Sequence, residues 1–487
     1  MYALLLCMFM AKVLLVNPPL TRDEMFKRGA KAAGSILPPL GIAYIAAMLE
    51  KHGHYVRIID GIAEGCTVND VVPRLKGHDI VGLTTISTFA YRAKEVAKII
   101  KDMDNDVVTV VGGAHANTIP YDLLKHPQFD FAVIGEAEYT FVEIANAVDK
   151  GKLVKDIKNE KEIKGLTFMD DTNTLTCTQP RPLIQNLDEI PMPARHLLPM
   201  HLYKTSEGRT NRQPSHSMMT SRGCPFPCTF CYQDLYGKTY RKHSPQRVVE
   251  EMEVLKTKYD AREIAIWDDH FTLLKERVME ICKLIKERNL DIPWSCVSRA
   301  DAVTPELLQA LASANCEFIS YGVETGSERM LNVIKKLETK DRIREAFKIT
   351  KEAGIKIRGY FMLGLYDETL EEMQQTIDFA KELDPDVAGF TLWVPFPGTT
   401  DYKRAVEDGT YSSIPYWETG IVPEFNFLET PVYVPKHVTK EQLIKMHKKA
   451  ISSFYLRPKY IWKQLKSIRS FDDIKRLYVG AKTVISN

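Results

Sequence analysis

The first 148 residues alternate between short β-branched runs and longer stretches with a helical period. Five apolar runs bounded by glycine, proline or aspartate predict buried strands at residues 12–17, 55–60, 80–85, 107–112 and 131–134. Between them, apolar residues recur every three or four positions, which predicts helices at 40–52, 89–103 and 139–148. This alternation is typical of a doubly wound, mostly parallel sheet, which binds ligands at the carboxyl ends of its strands.

A second run of strands and helices begins near residue 206. Strands are predicted at 217–221, 264–267, 294–298, 318–323, 356–363 and 388–393, and helices at 245–259, 275–287, 305–314, 339–353 and 370–383. Six strands with five helices between them predict a partial (β/α)6 barrel of the TIM type. Its functional residues are expected at the carboxyl ends of the strands.

Two further segments complete the predicted organisation. Residues 149–205 form a connector with a strand pair near 165–178, and Cys177 in its second strand is expected to be a half-buried thiol. Residues 411–487 form a helical extension with an apolar stripe at Leu443, Met446 or His447, Ala450 and Phe454. The predicted domains therefore cover residues 10–148, 149–205, 206–410 and 411–487.

Composition indicates a globular protein of a reducing compartment. Hydrophobic residues make up 45% and charged residues 26% of the 487, and the nine cysteines show no small disulfide framework, which predicts a cytoplasmic location. The apolar opening, MYALLLCMFM, spans ten residues without a basic start or a clear cleavage site. It is therefore predicted to be neither a signal peptide nor a membrane span, and Met10 is a plausible start of the folded chain.

Charge is distributed unevenly along the chain. The net charge is +2, yet residues 436–487 hold thirteen Lys or Arg and three Asp or Glu, so this end carries +10 and the rest −8. Such a tail either docks on an acidic barrel or contacts an anionic lipid surface, with Leu443, Phe454, Tyr460, Trp462 and Leu465 as apolar contacts. Nucleic acid is not an expected partner, because the chain shows no RNA-binding module.

Three cysteines predict the central chemistry. Cys224, Cys228 and Cys231 are separated by three and then two residues. A closed zinc site needs four ligands, and no nearby Cys or His cluster supplies the fourth. Three thiolates suit a [4Fe-4S] cluster that keeps one iron open, since full protein ligation uses four. The open iron is then a binding position.

This spacing, with the aromatic Phe230 before the last cysteine, resembles the signature of the radical S-adenosylmethionine (SAM) superfamily. The resemblance implies that the open iron binds SAM and that an electron from the cluster, supplied by a donor such as flavodoxin or ferredoxin, yields a 5′-deoxyadenosyl radical. It also implies a SAM contact at Phe230 and further SAM-binding residues at the barrel strand ends. These are Asp268 and Asp269 for the amino group, Arg299 for the carboxylate, Glu324 for the ribose, and Gly364 and Pro395 beside the adenine. The plainer alternatives are a helix cap for the aspartates and a surface position or an ion pair for Arg299 and Glu324.

The N-terminal half resembles the cobalamin-binding domain that precedes many radical SAM domains. Four motifs indicate this: PPLG at 38–41, GLTTIST at 82–88, VGGAHAN at 111–117 and IGEAE at 134–138. A dinucleotide site is not predicted, because no G-x-G-x-x-G follows the first strand. The implied cobalamin contacts are Gly41, Thr84, Thr85, Ser87, Gly112, Gly113, His115, Gly135 and Glu136.

One departure from the better-known cobalamin domains has a chemical consequence. Those domains place a cobalt-ligating histidine in Asp-x-His-x-x-Gly, and alignment on Gly41 puts Ile36 and Pro38 at the Asp and His positions. Cobalamin is therefore predicted to bind base-off, with no protein histidine on cobalt. His115 is the rival axial ligand, although a histidine in a glycine-rich loop more often forms hydrogen bonds.

The resemblance implies an enzyme that methylates an unactivated carbon of a small molecule. A lipid-like compound or a tetrapyrrole is the expected substrate class. The alternative is a non-methylating oxidase, cyclase or rearrangement enzyme, similar to the anaerobic cyclase of bacteriochlorophyll synthesis. A methylthiotransferase would need a second cysteine triad upstream, where only Cys7, Cys66 and Cys177 occur. A cofactor sensor would not require the intact cluster motif.

Overall fold

The computed structural model describes residues 10–25, 35–205, 212–411, 417 and 431–466, with short pieces between 468 and 481. The opening segment before Met10 and much of the basic tail after residue 466 lie outside the described residues. Within the part described, no helix is both long and apolar enough to cross a membrane.

The N-terminal sheet has seven strands in the order β2-β1-β3-β4-β5-β6-β7. Its parallel strands are β1 (Lys12–Asn17), β2 (Tyr55–Asp60), β3 (Ile80–Thr84), β4 (Val108–Gly112) and β5 (Phe131–Val133). The strand pair predicted in the connector is also present, as β6 (Leu166–Met169) and β7 (Leu175–Cys177). β6 pairs antiparallel with β5, so the sheet continues past residue 148.

Helices cover both faces of this sheet, which confirms the doubly wound fold. They are α1 (Arg22–Met25), α2 (Leu40–Lys51), α3 (Gly61–Glu64), α4 (Val68–Val71), α5 (Ala90–Met103), α6 (Ala114–Thr118), α7 (Pro120–Leu124), α8 (Glu138–Asp149) and α9 (Val154–Glu160). One apolar core lies under α2 and α8, and a second lies under α5 to α7. Burial on both sides explains why these strands are apolar throughout.

The second sheet is a six-stranded parallel partial barrel, as predicted. Its strands are β8 (Ser215–Met218), β11 (Glu263–Ile266), β12 (Trp294–Ser298), β13 (Cys316–Glu324), β14 (Lys356–Leu363) and β15 (Val387–Leu392). Neighbours in sequence are neighbours in the sheet, so β8 and β15 are its edges. A short antiparallel hairpin, β9 (Ser221–Arg222) and β10 (Arg241–Lys242), follows β8 and was not predicted.

The barrel helices, except α11, begin at side-chain caps. They are α10 (Pro245–Lys258), α11 (Lys275–Glu287), α12 (Pro305–Ser313), α13 (Glu328–Val333), α14 (Lys340–Glu352), α15 (Leu370–Leu383) and α16 (Thr400–Glu407). α12 begins at residue 305, as predicted, and the Thr304 side chain caps it by accepting a hydrogen bond from Leu307 N. Thr369 forms a full capping box with Glu372 at α15.

The C-terminal extension packs on the barrel edge. In α17 (Lys440–Tyr455) the buried stripe is Leu443, His447, Ala450 and Phe454. The prediction left its second position open between Met446 and His447, and the structure places His447 there. The Tyr455 hydroxyl accepts from Ala388 N and donates to Ala388 O, and His447 Nε2 donates to Phe390 O. Side chains of α17 thus satisfy backbone groups of the edge strand β15.

The start of the basic tail docks on acidic residues of the barrel. Arg457 and Lys459 pair with Asp384, and Lys463 in α18 (Pro458–Lys466) pairs with Asp386. The docking alternative is therefore confirmed for this part of the tail. Leu443 and Phe454 are fully buried, so the expectation that they contact lipid was wrong.

Cys177 also differs from expectation. It is exposed, because β7 is the outer strand of the sheet, and its sulfur accepts a hydrogen bond from Thr167.

Candidate active site and cobalamin cavity

The three cysteines lie on one loop at the carboxyl end of β8, as a barrel active site requires. This cluster loop, residues 223–240, is anchored to distant elements of the barrel. Thr229 N donates to Ile334 O at 3.0 Å, and the Thr229 hydroxyl donates to the Asp401 carboxylate at 2.6 Å. Phe230 packs beside Leu365 and Trp393. These contacts fix the loop that carries the thiols.

The thiols suit separate irons of a cluster. Among the described residues, no three His, Cys, Asp or Glu side chains converge on a point that could hold one metal ion. Cys231 lies at the open end of the barrel. Desolvation by the surrounding protein raises its pKa to about 12, and the charges of Asp269 and of the other two thiols add to this effect. These thiols therefore lose protons when they bind iron.

Asp268 holds the cluster loop and does not face SAM. Its two oxygens accept four hydrogen bonds of 2.5 to 3.1 Å from the backbone and hydroxyl groups of Thr220 and Ser221. A carboxylate has about four acceptor positions, so this one is saturated. In this arrangement Asp268 has no acceptor position free for the SAM amino group, and it caps strand ends and not a helix.

Asp269 is the aspartate that remains accessible. It is exposed at the mouth of the barrel, next to Cys224 and Cys231. The surrounding protein and the charge of Asp268 raise its pKa, while the Gly223 N–H acts in the opposite direction. The predicted contact with the SAM amino group stays a prediction for Asp269 alone.

Arg299 lies directly beside the cluster loop. It is 5% exposed, so the surface alternative does not apply, whereas the ion-pair alternative is met by its pairing with Asp301. Its guanidinium donates twice to Asp301, at 3.0 and 2.8 Å, and once to Lys336 O at 2.8 Å. It also stacks on Phe226 of the loop at 3.7 Å and points Nη1 at Cys228 Sγ, 4.0 Å away. The unused donor capacity of Arg299 therefore faces the cluster position.

Glu324 adopts a conformation that is unusual for a side-chain-bearing residue. Its φ of 68° lies in the left-handed region, next to a register shift between β13 and β14. The carboxylate folds over Gly322, where an added Cβ would lie 2.2 Å from Oε1. Lys336 Nζ donates to it at 3.2 Å. Strain at the end of a barrel strand is typical of a functional residue, and ribose binding stays a prediction.

Lys336 and His270 are site residues that sequence reasoning missed. Burial lowers the pKa of Lys336, but Glu324 and Glu338 outweigh it, so the net pKa is raised and the residue is a cation beside Cys228. His270 is fully buried against Phe226, and burial lowers its pKa to about 4. Neither ring nitrogen has a partner in the part of the chain described. Nothing in the local sequence distinguishes these residues from ordinary polar positions.

Gly364 serves packing, which corrects its expected place beside adenine. An added Cβ would lie 2.9 Å from Leu443 Cδ1 of α17, and φ is +75°. Its N–H donates to Glu368 at 2.6 Å. Pro395 is buried just after β15, and its contact with adenine stays a prediction.

A cavity of about 150 Å³ lies at the carboxyl ends of the N-terminal sheet. Gly41, Thr84, Gly112, Gly113, Gly135 and Glu136 line it, as predicted for cobalamin contacts. A Cβ added at Gly41, Gly112 or Gly135 would meet nothing within 4 Å, so the space beside these glycines is kept open. Gly113 must be glycine for a different reason. Its φ is +96°, and an added Cβ would lie 2.4 Å from Thr85 O. These glycines leave the backbone open to close approach by a ligand.

Three expected cobalamin contacts point elsewhere. The Thr85 hydroxyl donates to Gly112 O, so it ties two loops together. His115 is fully buried, with Nδ1 bonded to Ser87 and Nε2 to Asp122, at 3.0 and 3.1 Å. Thr85, Ser87 and His115 do not line this cavity, and their contact with cobalamin stays a prediction. With both ring nitrogens engaged, His115 has none left for cobalt.

Asn117 is a cavity residue that was not predicted. Its Nδ2 donates to Gly113 O at 2.9 Å, and its Oδ1 accepts from Gly135 N at 2.7 Å. It therefore holds two glycine loops of the cavity in place.

The cavity opens toward the barrel. Met219, Arg222, Leu235 and Tyr236, all from the segment around the cysteines, complete its lining. Glu136 lies at this junction, and its carboxylate accepts from Arg222, Arg241 and Ile184 N. The cavity and the cluster loop thus share one interdomain space.

Comparisons with known proteins agree with this arrangement. Residues 218–380 match the Radical SAM superfamily, and residues 29–145 match the B12 binding domain. The chain is 39% identical over 473 residues to an uncharacterized methyltransferase of Pyrococcus horikoshii, which covers 96% of this chain and 97% of the relative. It is 28% identical to the anaerobic magnesium-protoporphyrin IX monomethyl ester cyclase of Rubrivivax gelatinosus, over 89% of this chain and 75% of the cyclase.

A solved structure shares the whole fold. The radical SAM methyltransferase TsrM from Kitasatospora setae, with cobalamin and a [4Fe-4S] cluster bound, superposes with a TM-score of 0.73 at 18% identity, covering 98% of this chain and all of TsrM. The chain therefore belongs to the radical SAM enzymes with an N-terminal B12-binding domain, and its cofactors are SAM, a [4Fe-4S] cluster and cobalamin.

Proposed function

We propose that this enzyme transfers a methyl group to an unactivated carbon of a small molecule. The observation that supports this most is the shared space between the two domains, because cluster-loop residues line the cobalamin cavity. When bound, the cluster and SAM supply a radical that abstracts hydrogen, and cobalamin supplies a methyl carrier. A substrate between them would meet both. The P. horikoshii relative, which is described as a methyltransferase, adds support.

The residues of the chain would act by orientation and by excluding water. Asp269 would accept from the SAM amino group, Arg299 would bind its carboxylate, and Glu324 would accept from both ribose hydroxyls. Lys336 would hold the Glu324 carboxylate in place, since it is fixed by two buried acidic partners. These positions surround the cysteine loop at neighbouring strand ends.

We propose a hydrophobic substrate such as a tetrapyrrole or another lipid-like biosynthetic intermediate. The apolar lining on the barrel side of the cavity, Met219 and Leu235, supports this. The cyclase relative acts on a magnesium-protoporphyrin ester, which supports the tetrapyrrole class and keeps oxidative cyclisation as the second candidate reaction.

The experiment uses protein reconstituted anaerobically with iron, sulfide and cobalamin. It is incubated with SAM labelled in its methyl group with deuterium and with a small-molecule extract of the host. Methylation predicts a product that carries the labelled methyl group, whereas cyclisation or oxidation predicts a product that has lost hydrogen and carries no label. Cys228→Ala is expected to abolish 5′-deoxyadenosine formation, and Cys177→Ala, which removes an exposed thiol far from the loop, is the matched control. Labelled product from Cys228→Ala would refute the proposal.

We also propose a cytoplasmic enzyme that is reduced by flavodoxin or ferredoxin and rests on anionic lipid through α18. All eight described cysteines are free thiols, which supports a reducing compartment. Ile461, Trp462 and Leu465 are 44%, 61% and 53% exposed on this basic helix, which supports the lipid contact.

The lipid contact is tested by co-sedimentation with anionic vesicles at low salt. Trp462→Ser with Leu465→Ser should abolish sedimentation, and Tyr121→Ser, an equally exposed aromatic on the other domain, should not. These substitutions are preferable to deleting the whole C-terminal extension, because that deletion would also remove α17 and uncover the edge strand β15. A wild-type protein that stays in the supernatant would contradict the proposal.

A further inference from the structure

Four charged side chains are buried where the two domains meet. Arg222 donates to Glu136 at 2.7 Å and to Glu138 at 2.6 Å, and Arg241 donates to both oxygens of Glu136 at 2.8 and 2.7 Å. Each of the four residues is only 5% or 6% exposed. We call this set the interdomain clamp. Its charges cancel, so it can stay buried without an external counterion.

The clamp connects the cobalamin cavity to the cluster loop. Glu136 follows β5 and Glu138 begins α8, and both line the cavity. Arg222 and Arg241 face each other across the hairpin of β9 and β10, the two strands that flank the cluster loop. Arg222 precedes the ligand Cys224 by only two residues. A shift of the clamp would therefore move the cluster relative to the cavity.

The chemistry of the clamp favours a role in geometry. A buried ion pair adds little stability over well-packed apolar side chains, but a guanidinium that binds two carboxylates fixes both distance and angle. Arg222 also lies against one aromatic ring from each domain, 5.4 Å from the centroid of Tyr44 and 5.8 Å from that of Tyr236. Two carboxylates and two aromatic rings therefore fix the position of the Arg222 guanidinium.

The other end of the cysteine motif has a second tie. Tyr232, next to Cys231, donates from its hydroxyl to Asn117 O at 3.3 Å. Asn117 in turn holds Gly113 and Gly135 of the cavity. The three cysteines are thus bracketed by two contacts to the cobalamin domain, one before Cys224 and one after Cys231.

We propose that Glu136, Glu138, Arg222 and Arg241 are positioning residues that set the distance and angle between the cluster and cobalamin. They do not touch the reacting atoms. They keep the two cofactors in one arrangement, so that the radical and the transferred group reach the same substrate atom. The inference rests on the cofactor set and not on methylation as the reaction, so it stands whichever product is formed.

The test measures the distance between the cofactors in the full-length holoenzyme. Pulsed electron paramagnetic resonance reports the dipolar coupling between cob(II)alamin and the reduced cluster. Glu138→Gln keeps the size of the side chain but removes one anionic partner of Arg222, and Arg222→Lys keeps the charge but loses the fork. Both are expected to widen the distance distribution by about a factor of two or more, since domains held by weak interfaces move.

The matched control is Glu251→Gln. Glu251 pairs with Arg195 at 2.7 Å, equally buried, between the connector and α10. It should lower the melting temperature as much as Glu138→Gln does and leave the distance distribution at its wild-type width. An unchanged distribution in Glu138→Gln and Arg222→Lys, or equal broadening in Glu251→Gln, would overturn the proposal. Methylation is not a readout here, so failure of the proposed function would not be mistaken for failure of the clamp.

Discussion

Asp268→Asn tests whether the carboxylate at the end of β11 holds the cluster loop or binds SAM. In the structure, this carboxylate accepts all four hydrogen bonds offered by Thr220 and Ser221. An asparagine can keep two backbone bonds through its oxygen and donate to the two hydroxyls after they rotate. All four bonds can thus persist, but without the charge that strengthens them.

The expected magnitude follows from those four bonds. A hydrogen bond to a charged group contributes about 1.5–3 kcal/mol and a neutral one about 1 kcal/mol. Allowing for non-additivity among bonds that share one acceptor, the free energy of unfolding should fall by about 2–4 kcal/mol. Such a loss is a large part of the total stability of a domain. The cluster loop should therefore open more often and hold less iron.

The assays are urea denaturation, iron and sulfide content after reconstitution, and SAM affinity. Asp269→Asn is the matched control, because it makes the same change one residue later, at an exposed side chain. It should leave the free energy of unfolding within about 0.5 kcal/mol of wild type and weaken SAM binding. If Asp268→Asn instead kept full stability and iron content but lost SAM affinity, the assignment of Asp268 to the loop would be refuted.

Three further predictions concern other parts of the molecule. Gly112→Val would fill the open space of the cavity and should weaken cobalamin binding at least about tenfold, by spectroscopic titration, with an unchanged melting temperature; wild-type affinity would exclude the cavity as the cobalamin site. Lys336→Met would leave Glu324 without its cation and Glu338 with Arg299 alone, and should lower the free energy of unfolding by about 3–5 kcal/mol, whereas no loss in urea denaturation would contradict the buried pairing. Burial raises the pKa of Glu368 from 4.5 to about 8, so the native state holds a proton that the unfolded chain releases, and wild-type stability is lost as pH rises through this range. Glu368→Gln cannot release that proton and should be more stable than wild type by about 1–3 kcal/mol at pH 8.5 and equal to it at pH 4, in denaturation curves at each pH; parallel pH profiles would contradict the raised pKa.

Local patterns were sufficient to predict most of the fold. Strand runs such as residues 12–17 and 356–363 match β1 and β14 in full, because β-branched content and flanking turn residues act within a few positions. The cysteine spacing likewise predicted the cluster site, since all three ligands lie on one loop. The hairpin of β9 and β10 was missed because each of its strands has two residues, too few for a periodic pattern.

The roles of individual side chains depended on partners far away in sequence. Asp268 meets Thr220 across 48 positions, and Glu136 meets Arg222 across 86. A motif places a carboxylate at a strand end, but the direction of the side chain is decided by the groups that surround it after folding. Gly364 shows the same limit. Leu443 of the C-terminal helix occupies the space that a side chain at position 364 would need, and it lies far away in sequence.

The contacts of α17 with β15 also bear on how the protein is made. During synthesis the barrel would leave the ribosome with this edge bare, since the helix that supplies Tyr455 and His447 is translated about fifty residues later. An uncovered edge strand is a template for pairing with another chain. We therefore expect the nascent protein to pass through a short aggregation-prone interval, and yields in a heterologous host to depend on chaperones and on the speed at which the last helix is translated.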